Sequence, residues 1–150
     1  MQYIEAPDKE KSRFKSVFLA GGITNCPDWQ SYVAEKLKGL PIAVFNPRRK
    51  SYPQDKKYIF EQIEWEHQRL READILAFWF SEGSLNPIVL FELGSALERD
   101  KPIIVGVHPD YPRKTDVEIQ TKLERPNINI FSDLDSFAAE IIKFFDRIKK

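Results

Sequence analysis

The stretch "DILAFWFSEGSLNPIVLFELGSALERDKPIIVGV", residues 74–107, decides the fold. Its two ends, "DILAFWF" (74–80) and "KPIIVGV" (101–107), are apolar runs without polar alternation. Runs of that kind read as strands buried on both faces. Between them, "PIVLFELGSALERD" (87–100) reads as a helix with Pro87 in its first turn, where proline is well tolerated. A buried strand, a helix and a second buried strand make the repeating unit of a parallel sheet held between helix layers.

Outward from this unit the alternation continues. "SVFLAGG" (16–22) reads as a strand ending in a glycine turn, and "PIAVFNP" (41–47) as another. "DWQSYVAEKLKGL" (28–40) places Trp29, Tyr32, Val33, Leu37 and Leu40 at helical spacing. "YIFEQIEWEHQRLREA" (58–73) is a helix with a charged outer face. "INIF" (128–131) supplies a fifth strand, and "SDLDSFAAEIIKFFDRIKK" (132–150) a last helix capped by Ser132 or Asp133. The expected class is α/β: a flavodoxin-like three-layer sandwich around a five-stranded parallel sheet, order 2-1-3-4-5. Residues 1–150 read as one domain, with 1–15 peripheral or partly disordered.

Composition narrows the function. With 23 basic and 23 acidic side chains the net charge is zero, which argues against a general nucleic-acid binder. The one cysteine, Cys26, excludes an internal disulfide and a multi-cysteine zinc site, and favours a reducing, cytoplasmic setting. The first fifteen residues have no apolar core of a signal peptide. No apolar run approaches the roughly 20 residues that span a membrane. His67 and His108 have no metal-ligand spacing with a partner, so no metal and no cofactor is expected.

Sites in such sheets lie beyond the strands' carboxyl ends, at the switch between the first and third strands. The segments gathered there are "AGGITN", "NPRRKSYPQ", "SEGSLNP" and "GVHPD". Glu92 is the residue that calls for an explanation, because it sits inside the apolar helix 87–100. Residues 88, 91, 92, 95 and 96 share one face, which Ile88, Phe91 and Ala96 mark as core-directed. A buried carboxylate is paired or used. Glu92 is therefore either held by an arginine or backbone amides, or a nucleophile at the floor of a pocket. Gly21 and Gly22 permit close approach of backbone to a ligand, or simply make a tight turn. Neither a GxGxxG fingerprint nor a Walker lysine is present, so dinucleotide and P-loop readings fail. Arg48 and Arg49 suit a phosphate or carboxylate, or else are solvated or paired with Glu66 or Glu92. Trp29 and Trp79 fall near the carboxyl edge, where they could stack on a planar base. Ser81 and Ser84 add hydroxyls at the same edge.

Four features in order, "VFLAGGI", "EWEHQRLREADILAFWF", "SEGSLNP" and "FELGSALERDKPIIVG", resemble the nucleoside 2-deoxyribosyltransferases and their nucleoside-monophosphate N-glycosidase relatives. The resemblance spans about residues 16 to 107. It implies that Glu92 is the nucleophile, and that Asn86 and Glu66 stand where the transferases hold the base with carboxylates. Phe18 occupies the place of a tyrosine that orients the nucleophile. Asn86 cannot donate a proton to a departing base, and Phe18 has no hydroxyl. The resemblance implies cleavage or transfer at the N-glycosidic bond of a nucleoside or nucleotide, in a homodimer or larger assembly; the aromatic-rich helix 58–73 with Trp65 is the candidate interface. The two departures leave open a catalytically silent nucleotide-binding module. A redox flavodoxin is a poor fit, because "GGITNCP" lacks the hydroxyl run that would cradle a flavin phosphate.

Overall fold

The computed structural model describes residues 1–53 and 55–148. Six parallel strands form one sheet: β1 (Gln2–Glu5), β2 (Ser16–Gly21), β3 (Ala43–Asn46), β4 (Ile75–Phe80), β5 (Ile103–Val107) and β6 (Ile130–Phe131). Among the described residues there are five helices, four between strands and the last after β6: α1 (Trp29–Lys36), α2 (Tyr58–Glu72), α3 (Pro87–Leu97), α4 (Lys114–Glu124) and α5 (Leu134–Ile148). The spatial order is β1-β3-β2-β4-β5-β6. Without β1 this is the expected flavodoxin-like 2-1-3-4-5 order, so the difference is one added edge strand.

The period-two alternation of the strands makes the two layers. Phe18, Ala20, Phe45, Leu76, Phe78, Phe80 and Val105 face α2, α3 and α4, which contribute Trp65, Val89, Leu93, Ala96 and Val117. Val17, Leu19, Val44, Ile75, Ala77, Trp79 and Ile104 face α1 and α5, which contribute Trp29, Val33, Leu37, Phe137, Ile141 and Phe145. No helix among the described residues is long and apolar enough to cross a membrane.

Two elements lie outside the sequence reading. β1 is short, and of its four residues only Ile4 is fully buried, so it carries no apolar run to read. The segment 1–15 is nevertheless tied down. Trp65 Nε1 donates to the Asp8 carbonyl (2.7 Å), and the buried Arg69 donates to the carbonyls of Asp8 (3.0 Å) and Glu10 (2.7 Å). Helix α4 buries Val117 and Thr121 on an otherwise polar segment, too sparse a stripe to stand out. The last helix starts where Asp133 Oδ1 accepts from the Ser136 amide (2.7 Å), so Asp133 is its cap. Of the helix expected over 132–150, Lys149 and Lys150 lie outside the described residues.

Candidate active site

A cleft of about 500 Å³ opens over β2 and β4, between α2 and α3. Its floor is Phe18, Ala20 and Leu76; one wall carries Ile63, Glu66 and Leu70, the other Ile88, Phe91, Glu92 and Ala96. The loop residues Gly22, Ile23, Thr24, Ser84 and Asn86 close its carboxyl end.

The β4–α3 turn is built around Asn86. Asn86 has left-handed backbone (φ 48°, ψ 55°), which asparagine tolerates better than most residues. Its amide donates to Ser84 Oγ (3.3 Å), its carbonyl accepts from the Leu90 amide (3.1 Å), and Pro87 begins the helix. The Tyr111 hydroxyl holds the turn by donating to the Leu85 carbonyl (2.7 Å). The Asn86 side chain is 5% exposed, and its Oδ1 accepts from the Cys26 thiol (3.4 Å). That leaves Nδ2, a buried donor, without a partner among the described residues. Gly22 is required by this packing: a Cβ there would lie 2.0 Å from Asn86 Oδ1 and 2.5 Å from Cys26 Sγ. The same holds at Gly21, where a Cβ would lie 2.3 Å from the Trp29 ring. The glycines thus admit side chains of the protein itself.

Glu92 faces the cleft, half-buried, with no hydrogen bond or ion pair among the described residues. Burial, and then the charge of Glu66 across the cleft, push its carboxyl up to about 8. Burial also raises Glu66; the hydrogen bond from Gln62 and the charge of Arg49 oppose that rise. The face of α3 expected to be core-directed is instead the cleft wall. Ile88 and Phe91 are 63% and 75% exposed, and it is Val89, Leu93 and Ala96 that reach the core. Residues 88, 91, 92, 95 and 96 do share one face, since all line the cleft. The helical period sets that sharing, and the face borders the cleft rather than the core.

The structure therefore brings Glu92, Glu66, Asn86, Phe18, Gly21, Gly22 and Ser84 together. The other five candidates do not line that cleft. Trp29, Trp79 and Ser81 border a separate hollow of about 410 Å³ on the α1/α5 side, because Trp79 alternates with Phe78 and Phe80 along β4. Arg48 braces the loop before α1: it donates to Gln30 Oε1 (3.1 Å) and the Pro27 carbonyl (2.9 Å), and Asp28 lies 3.3 Å away. Arg49 is buried against Gln62 and Glu61 (2.8 Å). Trp65 is 3% exposed, so it is core rather than surface. Unread in the sequence were Ile63, Leu70 and Arg71, which line the cleft beside Glu66, as does His67, read there only as lacking metal-ligand spacing. Their spacing of three and four from one another was the available signal.

Two carboxyl groups facing one cleft, one of them without a partner, can divide nucleophilic and acid work between them. No curated protein matches the chain. Among solved structures, a conserved protein from Enterococcus faecalis V583 superposes with a TM-score of 0.60 at 17% identity, covering 87% of this chain and 98% of that one. That likeness establishes the fold. The sequence itself matches the family described as "Nucleoside 2-deoxyribosyltransferase like" over residues 14–111, which take in the cleft and both its carboxylates. The chain belongs to the nucleoside 2-deoxyribosyltransferase-like family.

Proposed function

We propose that the chain cleaves or transfers at the N-glycosidic bond of a nucleoside or nucleotide, with Glu92 as nucleophile and Glu66 and Asn86 on the side of the base. The observation that carries this reading is the state of Glu92. A structural carboxylate would be met by an arginine or backbone amides, and Glu92 has neither among the described residues. It lines a cleft of a size that suits a nucleoside, opposite a second carboxyl group.

In the first step a Glu92 oxygen attacks C1', forming a glycosyl ester as the C1'–N bond breaks and its electron pair passes to the base. Glu66, whose carboxyl burial raises against the pull of Gln62 and Arg49, acts in its protonated form and gives that proton to the departing nitrogen. The unpartnered Asn86 Nδ2 donates a hydrogen bond to an acceptor on the base, which eases the developing negative charge without proton transfer. In the second step a new base, or water, attacks C1' and releases Glu92, with Glu66 taking back a proton. Transfer and hydrolysis differ only in that acceptor.

The apolar residues around the mouth, Ile63, Ile88 and Phe91, together with Phe60 on the same helix as Ile63, support a homo-oligomer in which a second copy covers the cleft. These residues replace Trp65 as the interface. The lone thiol and a nucleotide-type substrate fit a cytoplasmic setting, and zero net charge fits a small-molecule partner rather than nucleic acid.

Chromatography of nucleosides and their 5'-monophosphates for free base tests the reading. Base release or exchange is expected from the native chain and lost in a folded Glu92→Ala variant. Activity retained in Glu92→Ala removes the covalent route. Phe18, fully buried and without a hydroxyl, favours one second reading: a silent nucleotide-binding module. Calorimetric binding with no base released over hours supports that reading instead.

A further inference from the structure

Three buried or half-buried side chains form a line from the loop after β3 to the cleft. Arg49 Nε donates to Gln62 Oε1 (2.5 Å), and Gln62 Nε2 donates to Glu66 Oε1 (2.7 Å) and to the Pro47 carbonyl (2.7 Å). A guanidinium only donates. Gln62 must therefore turn its oxygen to Arg49 and its nitrogen to Glu66, and both N–H groups are then used. Arg49 itself cannot turn away: Glu61 holds its other arm (2.8 Å) and the Tyr58 ring lies 5.7 Å from it. Glu66 Oε1 is thereby fixed as an acceptor. Oε2 makes no hydrogen bond among the described residues.

We infer that Arg49 and Gln62 are positioning residues that hold the transferable proton of Glu66 on Oε2, the oxygen left free to meet a ligand. A carboxyl group carries one proton, and its carbonyl oxygen is the better acceptor, so the bond from Gln62 makes Oε1 the carbonyl oxygen and favours the proton on Oε2. The acid then presents its proton from one atom in one direction, ready for the nitrogen whose bond to C1' breaks. This deepens the proposed glycosidic reading and rests on it for the use of the proton, though not for its placement. The pair also answers why an arginine occupies position 49. A permanent, planar cation fixes the amide at every pH, where a lysine ammonium would swivel. The other titratable or charged side chains lining the cleft with Glu66 are Glu92 from α3, whose carboxyl Glu66 helps to raise, and His67, Arg71 and Arg99.

Nuclear magnetic resonance of the labelled protein tests the placement. Between pH 4 and 9 the Gln62 Nε2 resonance should shift with the same midpoint as the Glu66 carboxyl carbon, with both amide protons exchanging slowly. Gln62→Met should raise the Glu66 midpoint by about one pH unit, since a donor to the charged form is lost. Arg49→Met should move it the same way, and Arg49→Lys should restore part of the shift. In base release, Gln62→Met should lower kcat tenfold or more, change KM less than threefold, and move the alkaline limb of the profile upward. A Gln62 amide blind to Glu66 titration, or a Gln62→Met midpoint unmoved beside a lowered Tm, overturns the inference. If Arg49→Met does not fold, the Gln62→Met midpoint decides alone. Coupled titration in a protein that releases no base keeps the proton placement and removes the glycosidic reading.

Discussion

Replacing Glu92 with glutamine should stabilise the protein at alkaline pH and leave it unchanged at acid pH. Glutamine keeps the shape of the side chain and removes its charge. The carboxyl value climbs from its ordinary 4.5 to about 8 on folding, because burial and Glu66 oppose the anion. A group that binds its proton more tightly when folded supports the fold fully below its unfolded value. That support is lost as pH rises from 4.5 toward 8. A span of roughly 3.5 pH units at about 1.36 kcal/mol each bounds the penalty at about 5 kcal/mol. Water in the open cleft screens part of this, so about 2 kcal/mol is the working figure. For a chain of this size that is roughly 4–8 °C in Tm. Scanning calorimetry at pH 4 and pH 9 measures it: Glu92→Gln should exceed the native Tm by that amount at pH 9 and match it at pH 4. An equal Tm difference at both values, or a lower Tm for the variant at pH 9, would show that Glu92 is a well-solvated or paired carboxylate.

Turnover should show two limbs in pH: kcat/KM for base release should rise as Glu92 loses its proton, which it does around 8, and fall as Glu66 loses its own, and a flat profile from pH 5 to 8 would separate both carboxyl groups from the chemistry. Gly22→Ala should displace Asn86, because the new methyl would lie 2.0 Å from its Oδ1; a fall in kcat/KM of tenfold or more is expected, and wild-type kinetics would place Asn86 outside the reaction. Arg48→Ala and Arg49→Ala should lower Tm by several degrees, about 1–3 kcal/mol each, since both arginines brace loops. Neither should change the preference between a monophosphate and its nucleoside, and a selective tenfold rise in KM for the monophosphate would restore the phosphate role. On the proposal that a second copy covers the cleft, Phe91→Ser combined with Ile88→Ser should lower the sedimentation coefficient in sedimentation velocity, and an unchanged coefficient would overturn that proposal.

The central strands are legible because β2, β4 and β5 are buried on both faces, so their runs are apolar without a break. Glu92 is legible because a charge inside such a run is anomalous. What the sequence conceals is direction. Ile88 and Phe91 read as core because they are apolar, yet they are exposed beside the cleft. Burial in the monomer depends on how far α2 stands from α3, which no local pattern encodes. Trp79 sits at the carboxyl edge as read, but its place in the alternation sends it to the other face of the sheet. Arg48 and Arg49 lie in the expected loop, and their partners Gln30, Pro27, Glu61 and Gln62 come from segments 12 to 21 residues distant. Composition signals a cationic loop and is silent about which of its charges are already engaged.

The first strand has a consequence for handling the protein. β1 occupies the free side of β3, whose four residues are all buried. Gln2 then gathers the following segment over its own strand: its Nε2 donates to Glu10 Oε1 (2.9 Å) and the Lys11 carbonyl (3.0 Å), and its Oε1 accepts from the Arg13 amide (2.9 Å). Trimming the chain to the family-like region would strip this cover and leave β3 with an open hydrogen-bonding edge, a template for pairing between molecules. The carbonyls of Asp8 and Glu10 that Arg69 grips would go with it, loosening the helix that carries Glu66. A shortened version should therefore associate through its sheet and hold Glu66 less firmly. Affinity tags belong on the carboxyl end, away from a segment that guards both solubility and the cleft.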